Sequence, residues 1–157
     1  MNSHQIRFDE DLVRRYDRSG PRYTSYPTAV QFSDRFGIDE YRAVALGSNQ
    51  DPIPRPLSLY VHIPFCSSPC FYCGCTKVIT RNHEKAEAYL YRLHREIELQ
   101  SQLYDRDREV EQLHFGGGTP TFLTSLEIDR LIEKLGSHFK LSSDPGREYS
   151  IELDPRT

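Results

Sequence analysis

A chain of 157 residues is long enough to enclose one hydrophobic core, and its net charge of −3 makes it mildly acidic. A nucleic-acid-binding domain would carry a basic patch or stripe, which this balance of charges does not provide. The amino terminus lacks the apolar stretch of a secretory signal, and no apolar run is long enough to span a membrane. We therefore expect a cytoplasmic protein that binds neither nucleic acid nor membranes.

The first 56 residues show little periodicity and are predicted to form an irregular, partly helical N-terminal extension that ends in a linker. Acidic residues at positions 9–11 suit the start of a helix and predict one over residues 9–16. A second short helix is predicted over residues 39–46. Residues 51–56 form a stiff linker, because each of its three prolines restricts the preceding residue to an extended conformation.

From residue 57 the pattern becomes regular and predicts alternating strands and helices. Strands are expected over residues 57–63, 109–115 and 148–153. A helix is expected over residues 83–100, with an apolar stripe formed by Ala86, Leu90, Leu93 and Ile97. A second helix opens with the capping box Thr124-Ser-Leu-Glu127 and is expected to stop at Gly136. The order β-α-β-α-β predicts an α/β domain over residues 57–157, with three parallel strands joined by right-handed crossovers.

All four cysteines of the chain, Cys66, Cys70, Cys73 and Cys75, lie within ten residues. Structural zinc sites usually divide their ligands between two knuckles separated by roughly a dozen or more residues, and this sequence has no second knuckle. Three thiolates from one short loop suit three corners of a cubane iron–sulfur cluster, which leaves one iron open for chemistry. A zinc site, a redox pair formed by Cys70 and Cys73, and a disulfide remain as alternatives.

Three features follow the three predicted strands and are therefore expected at one edge of the sheet, where the carboxyl ends of parallel strands meet. They are the cysteine loop, the segment Gly116-Gly-Gly-Thr-Pro120 and the acidic residue Glu152. The glycines let backbone N–H groups approach a ligand, or they form a tight turn without one. Glu152 can accept hydrogen bonds from a ribose or be an ordinary surface carboxylate. Tyr72 can shield the cluster, stack on a ligand ring or serve packing alone.

The motif Cys66-x3-Cys70-x-Tyr72-Cys73 resembles the signature of the radical S-adenosylmethionine superfamily. Residues 19–28, 60–66, 116–120 and 150–155, together with the fourth cysteine Cys75, are similar to the oxygen-independent coproporphyrinogen III oxidase family. The resemblance covers essentially the whole chain. It implies that residues 57–157 form the first units of a radical-SAM (β/α) barrel, incomplete in this chain, with residues 1–56 as an N-terminal extension and linker.

The resemblance also implies a reaction. Cys66, Cys70 and Cys73 would ligate a [4Fe–4S] cluster whose open iron binds S-adenosylmethionine. An electron from a flavodoxin- or ferredoxin-type protein would cleave that molecule to a 5′-deoxyadenosyl radical. Two propionates of the tetrapyrrole coproporphyrinogen III would then be oxidatively decarboxylated, giving protoporphyrinogen IX in haem biosynthesis. The cofactors carry this chemistry, and the protein orients and shields them.

By the same resemblance, Tyr60, Gly117 and Glu152 would contact one molecule of S-adenosylmethionine. The family binds a second molecule, toward which three further residues would lie. These residues are Tyr72, Gly118 and Thr119.

Two further residues are candidates for a part in the reaction. Cys75 matches the family's fourth cysteine, which is not a cluster ligand; a catalytic role and an inert buried thiol both remain open. Arg22 is the candidate for substrate binding, because a guanidinium holds a carboxylate through two parallel hydrogen bonds. The substrate carries four carboxylates, and a chain with a net negative charge can attract it only through local cations. Alternatively, Arg22 pairs with an acidic residue of the protein. Lys77 and Arg81 are weaker candidates.

Two other functions remain open: a haem-trafficking relative from the same superfamily, and a cluster- or zinc-binding module without turnover. The family continues through further β/α units after the last strand predicted here. We therefore expect this chain to be an N-terminal portion of the enzyme, with its last strand an open edge and with no activity of its own.

Overall fold

The computed structural model describes residues 8–17, 28–69 and 74–154. The chain divides into two compact units, Met1–Gly37 and Ile38–Thr157. In the first unit, helix α1 (Glu10–Tyr16) follows Asp9, whose side chain accepts a hydrogen bond from the N–H of Leu12 at 2.9 Å. This confirms the predicted helix and makes Asp9 its N-cap rather than its first residue.

The second unit is built around a parallel sheet. Its elements in chain order are α2 (Ile38–Gly47), β1 (Leu57–Ile63), β2 (Phe65–Cys66), β3 (Val78–Ile79), α3 (Glu84–Ser101), β4 (Glu109–Gly117), α4 (Ser125–His138), β5 (Lys140–Leu141) and β6 (Glu148–Ile151). Strand β4 is central: it pairs with β1 along one edge and with β5 and then β6 along the other, always in parallel. The three predicted strands and their parallel order are confirmed, whereas β2, β3 and β5 are too short for periodicity to reveal. In the described part of the chain, no helix is both long and apolar enough to cross a membrane.

Alternation along the strands separates an apolar face of the sheet from a polar one. Val61 of β1 and Leu113 and Phe115 of β4 are buried in one core with the helices. The helices contribute the predicted stripe of α3, Ala86, Leu90, Leu93 and Ile97, and from α4 Leu131 and Leu135. The opposite face carries rows of polar side chains, in register across β1, β4 and β6: Ser58, Gln112 and Glu148 in one row, and Tyr60, His114 and Ser150 in the next.

Helix α4 confirms one prediction and corrects another. The capping box is present, since the Thr124 N–H donates to Glu127 Oε2 at 2.8 Å and the Glu127 N–H donates to Thr124 Oγ1 at 3.3 Å. The expected stop at Gly136 is wrong, because the helix continues to His138. A glycine usually ends a helix by adopting positive φ, and among the described residues only Gly117 does so.

Residues 38–56 belong to the second unit and are hydrogen-bonded to its α/β part. The Tyr41 hydroxyl donates to Gln100 Oε1, and the Arg108 guanidinium donates to the carbonyl of Arg55 at 2.7 and 3.1 Å. The compact unit begins at Ile38, whereas the sequence groups residues 1–56 together. The difference arises because bonds that span 59 and 53 positions of the chain leave no periodic signal.

Candidate functional site

The cysteine loop leaves the carboxyl end of β1 and closes at its base. Strands β2 and β3 pair across it: the Val78 N–H bonds to the carbonyl of Pro64 at 2.6 Å, and the Thr80 N–H bonds to the carbonyl of Cys66 at 2.9 Å. Cys66 is half-buried and Cys75 is exposed. The candidate residues Cys70, Tyr72 and Cys73 lie outside the described residues. The structure therefore fixes the base of the loop and its first cysteine.

The glycine segment after β4 runs directly beside Cys66. The Gly118 N–H bonds to the carbonyl of Ile63 and the Thr119 N–H to that of Phe65, both at 2.8 Å. Thr119 Oγ1 donates to Cys66 Sγ at 3.6 Å. A Cβ on Gly118 would lie 2.9 Å from Cys66 Sγ and 2.7 Å from the Phe65 carbonyl oxygen, which is closer than such contacts allow. Gly118 is therefore needed for the two loops to approach each other.

Gly117 is held between a histidine ring and a carboxylate. Its φ of +116° is unfavourable for any residue with a Cβ, and that Cβ would lie 2.6 Å from His62 Cε1. Its N–H donates to Glu152 Oε2 at 3.1 Å. Two residues that the sequence assigns to one ligand, Gly117 and Glu152, are thus direct neighbours.

Tyr60 and His62 of β1 form a chain of hydrogen bonds that reaches the cysteine loop. The Tyr60 hydroxyl lies 3.0 Å from His62 Nδ1, and His62 Nε2 lies 2.9 Å from the carbonyl of Thr76. Burial, followed by the charges of Glu152 and Cys75, raises the pKa of Tyr60 above its usual value, so its phenol stays protonated at neutral pH and donates. His62 then accepts through Nδ1 and donates through Nε2 to the carbonyl of Thr76. This bond links the C-terminal end of the cysteine loop to β1.

Glu152 lies just beyond β6 and continues its pairing, since its N–H bonds to the carbonyl of Phe115 at 2.9 Å. Its side chain is half-exposed, and Oε1 lies 3.6 Å from His114 Nε2. His114 Nδ1 lies 2.7 Å from Ser150 Oγ, and the His114 ring stacks on Tyr60 with centroids 5.7 Å apart. The three strands therefore present one polar cluster at the carboxyl edge of the sheet.

A column of rings supports the segment that carries Cys66. Phe65 stacks on Phe122 with centroids 5.3 Å apart, and Phe122 stacks on His83 at 5.4 Å. His83 Nε2 contacts both carboxylate oxygens of Glu127, at 2.8 and 3.0 Å. Because His83 precedes α3 and Glu127 caps α4, this column ties β2 to the starts of both helices.

The structure brings together six of the predicted site residues, Tyr60, Cys66, Gly117, Gly118, Thr119 and Glu152. Gly118 and Thr119 lie against Cys66, Gly117 bonds to Glu152, and Tyr60 bonds to the His62 ring that lies against Gly117. Arg22 lies outside the described residues, Lys77 is half-buried and Arg81 is exposed. Sequence reasoning missed the polar residues His62, His114 and Ser150. Their common signal is an alternate position on a strand, facing away from the apolar residues.

Cys66 has surroundings that suit a cluster thiolate. Among the described residues, no three His, Cys, Asp or Glu side chains are arranged to hold a metal ion, and the expected ligands Cys70 and Cys73 are outside the described residues. The Thr119 hydroxyl directs a donor at Sγ, and the missing Cβ of Gly118 leaves Sγ uncrowded. Hydrogen bonds to sulfur stabilise and tune iron–sulfur clusters, so the described residues fit such a group.

No family model matches this chain. The chain is 53% identical over 152 residues to the oxygen-independent coproporphyrinogen III oxidase of Pseudomonas aeruginosa, an alignment that covers 96% of this chain and 32% of that protein. It is 48% identical over 157 residues to the enzyme of the same name from Escherichia coli, covering 99% of this chain and 33% of the relative. The chain thus spans about a third of the length of these curated relatives.

Two further comparisons agree. The oxygen-independent coproporphyrinogen III oxidase of Mannheimia haemolytica is 46% identical over 151 residues, covering 96% of this chain and 99% of that sequence. The solved structure of coproporphyrinogen III oxidase (HemN) from Escherichia coli, a radical SAM enzyme, aligns with a TM-score of 0.76 and 44% identity, over 97% of this chain and 32% of the other. By sequence and by fold, the chain belongs to the oxygen-independent coproporphyrinogen III oxidase family.

Proposed function

We propose that this chain provides the binding site for an iron–sulfur cluster and S-adenosylmethionine in the oxygen-independent conversion of coproporphyrinogen III to protoporphyrinogen IX. The observation that carries the proposal is the meeting of Cys66, Gly117, Gly118 and Glu152 at one edge of a parallel sheet. The names of the relatives support the reaction, and we propose that the substrate pocket also uses segments of those longer proteins that this chain does not match.

We further propose that the sheet is part of a radical-SAM (β/α) barrel. Two features of the described residues support this: the strands pair in parallel, and α3 and α4 pack on the same face of the sheet. The other face carries the polar rows, and ligand sites of parallel barrels lie at the carboxyl ends of the strands, where Gly117 and Glu152 are found. The similarity to the solved radical SAM enzyme supports the same arrangement.

Cys66, Cys70 and Cys73 would hold a [4Fe–4S] cluster. When bound, the cluster supplies the electron that cleaves S-adenosylmethionine and starts the radical decarboxylation. The Thr119 hydroxyl would stabilise the Cys66 thiolate through its hydrogen bond to Sγ. The β2–β3 pairing holds the two ends of the loop together at its base. We propose that Cys75 is not a cluster ligand.

Tyr60, Gly117 and Glu152 would bind the S-adenosylmethionine that reaches the cluster. Glu152 accepts the Gly117 N–H through Oε2, and the lone pairs left on its exposed carboxylate suit the two hydroxyls of a ribose. Tyr60 is 59% exposed and offers a flat, polar-tipped surface beside them. A second molecule would lie toward Tyr72, Gly118 and Thr119.

The remaining partners follow from the same reaction. The substrate would be a tetrapyrrole, with Arg22 proposed to bind one of its carboxylates. The electron would come from a low-potential flavodoxin- or ferredoxin-type protein, and the reaction would take place in the cytoplasm.

Anaerobic reconstitution with iron and sulfide tests the proposal. We expect labile sulfide and brown absorbance in the wild type and in the matched control Cys75→Ala. Both should be lost in Cys66→Ala, Cys70→Ala and Cys73→Ala, because removal of one thiolate leaves a second iron without a protein ligand. One equivalent of zinc without labile sulfide, or full iron content in Cys70→Ala, would contradict the proposal.

A further inference from the structure

We propose that His114 is a positioning residue of this site: held by Ser150 with its proton on Nε2, it orients the Glu152 carboxylate for a ligand that carries a vicinal diol. The inference rests on the proposed binding of S-adenosylmethionine by Tyr60, Gly117 and Glu152. It goes further by assigning positioning roles to two polar side chains of the sheet, His114 of β4 and Ser150 of β6.

His114 occupies the centre of the polar face. Its register partners are Tyr60 on β1 and Ser150 on β6, and its ring stacks on Tyr60 at an interplanar angle of 23°. A Cβ at Gly116 would lie 2.8 Å from His114 Nε2 and 3.1 Å from Cδ2. The first glycine of the triplet thus makes room for this ring orientation. An imidazole stacked on one side and accommodated by glycine on another has a defined orientation.

The neighbours of the ring define its tautomer. Nδ1 lies 2.7 Å from Ser150 Oγ, and Nε2 lies 3.6 Å from Glu152 Oε1. A neutral imidazole has one donor and one acceptor nitrogen, and an ionised carboxylate only accepts. The favourable arrangement therefore has the Ser150 hydroxyl donating to Nδ1 and the proton on Nε2 facing Glu152. At 3.6 Å this is an attraction between a polar N–H and a charge, and a rotation of the carboxylate makes it a hydrogen bond of about 2.8 Å.

Each oxygen of Glu152 then has a neighbour, a hydrogen-bond donor at one and an electrostatic partner at the other. Oε2 accepts the Gly117 N–H, and Oε1 faces the Nε2 proton of His114. A half-exposed glutamate without these two contacts would sample several rotamers, and ordering such a side chain on binding weakens a ligand by about 2- to 12-fold. His114 removes this loss by holding the carboxylate before the ligand arrives.

Binding of S-adenosylmethionine to the reconstituted full-length enzyme tests the role, with free methionine as a ligand that lacks the diol. In His114→Gln the side-chain amide reaches the place of Nε2 and keeps a donor toward Glu152, whereas the shorter amide of His114→Asn overlays Nδ1 and does not. We expect His114→Asn to weaken S-adenosylmethionine by about 2- to 12-fold and His114→Gln to stay within about 2-fold of wild type. Methionine binding should be the same in all three proteins.

A second pair of variants tests the tautomer without changing His114. Ser150→Ala removes the donor to Nδ1 and should lower the affinity for S-adenosylmethionine, as His114→Asn does. Ser150→Thr keeps the hydroxyl and should bind S-adenosylmethionine as the wild type does. Equal loss in His114→Gln and His114→Asn, or wild-type affinity in both His114→Asn and Ser150→Ala, overturns the role of His114. A wild-type enzyme that carries its cluster but does not bind S-adenosylmethionine overturns the proposed function instead.

Discussion

Gly117→Ala tests whether the glycine segment is required by the packing of this site. The substitution adds one methyl group at a residue with φ of +116°, and this methyl would lie 2.6 Å from His62 Cε1 and 2.7 Å from Nδ1. Either the backbone and ring keep their positions under strain, or the ring moves away. We expect a large loss of stability by both routes.

The structure allows the loss to be estimated. Holding alanine at this φ costs about 1–3 kcal/mol. Forcing the methyl against the ring adds about 1–3 kcal/mol. If the ring moves instead, its bonds to Tyr60 and Thr76 are lost, at about 0.5–1.5 kcal/mol each. By either route we expect the free energy of unfolding to fall by about 2–6 kcal/mol, which lowers the melting temperature of a chain of this size by about 4–24 °C.

Urea denaturation of wild type and variant gives the change directly, provided that the dependence on urea concentration stays the same. Gly136→Ala is the matched control. A Cβ there would meet only Leu141 Cδ1 at 3.6 Å, an ordinary contact, and Gly136 lies within α4. This variant should gain about 0.5–1 kcal/mol because alanine favours the helix. If Gly117→Ala is as stable as wild type, the conformation of Gly117 and its contact with His62 are wrong.

Three further outcomes are expected. His94 lies on α3, where burial, followed by the charge of Lys134, lowers its pKa below the usual value of about 6.5. In this pH range the unfolded chain therefore binds a proton more readily than the folded chain does. The free energy of unfolding should fall as the pH drops from about 7.5 to 5.5. His94→Gln should flatten this slope in urea titrations, and an unchanged slope would contradict the role of His94. The 157-residue chain alone should self-associate, because β1 and β6 each pair with β4 on one edge only in the described sheet. It should also fail to decarboxylate coproporphyrinogen III, because it spans about a third of the length of its relatives. A monodisperse monomer in sedimentation, or turnover by this chain, would contradict these expectations. In the full-length enzyme, Arg22→Ala should weaken porphyrinogen binding and leave substrate-free cleavage of S-adenosylmethionine unchanged, and unaltered substrate affinity would remove the proposed role of Arg22.

The parts of the fold that depend on near neighbours could be predicted from the sequence. The capping box of Thr124 and Glu127 and the strand over residues 57–63 are decided within a few residues, and both predictions are confirmed. Gly136 shows the limit of local signals. Its preference for helix ends is outweighed because Phe139, just after α4, is buried in the core and its N–H still bonds to the carbonyl of Leu135.

The polar cluster depends on strand register, which the sequence does not display. A shift of one residue between β1 and β4 would turn Tyr60 away from His114, so no pattern within a single strand predicts that they stack. The sequence allows the glycine triplet to be a close approach of backbone N–H groups to a ligand or a tight turn without one. The structure gives each glycine a packing reason as well: the His114 ring at 116, the His62 ring at 117, and Cys66 with the β2 backbone at 118.

The hydrogen bond between His62 and Thr76 bears on how the cysteine loop can vary in length. One end of the loop is fixed by the β2–β3 pairing at Cys66, and the other is fastened to β1 at Thr76. Ordering the backbone of a residue costs about 1–2 kcal/mol at 25 °C, so anchoring both ends of the loop lowers the entropy loss that binding of the proposed cluster would have to overcome. If the three proposed ligands share one cluster, we expect the segment between the two anchors to tolerate insertions and deletions poorly, because the ends of the loop cannot shift to compensate.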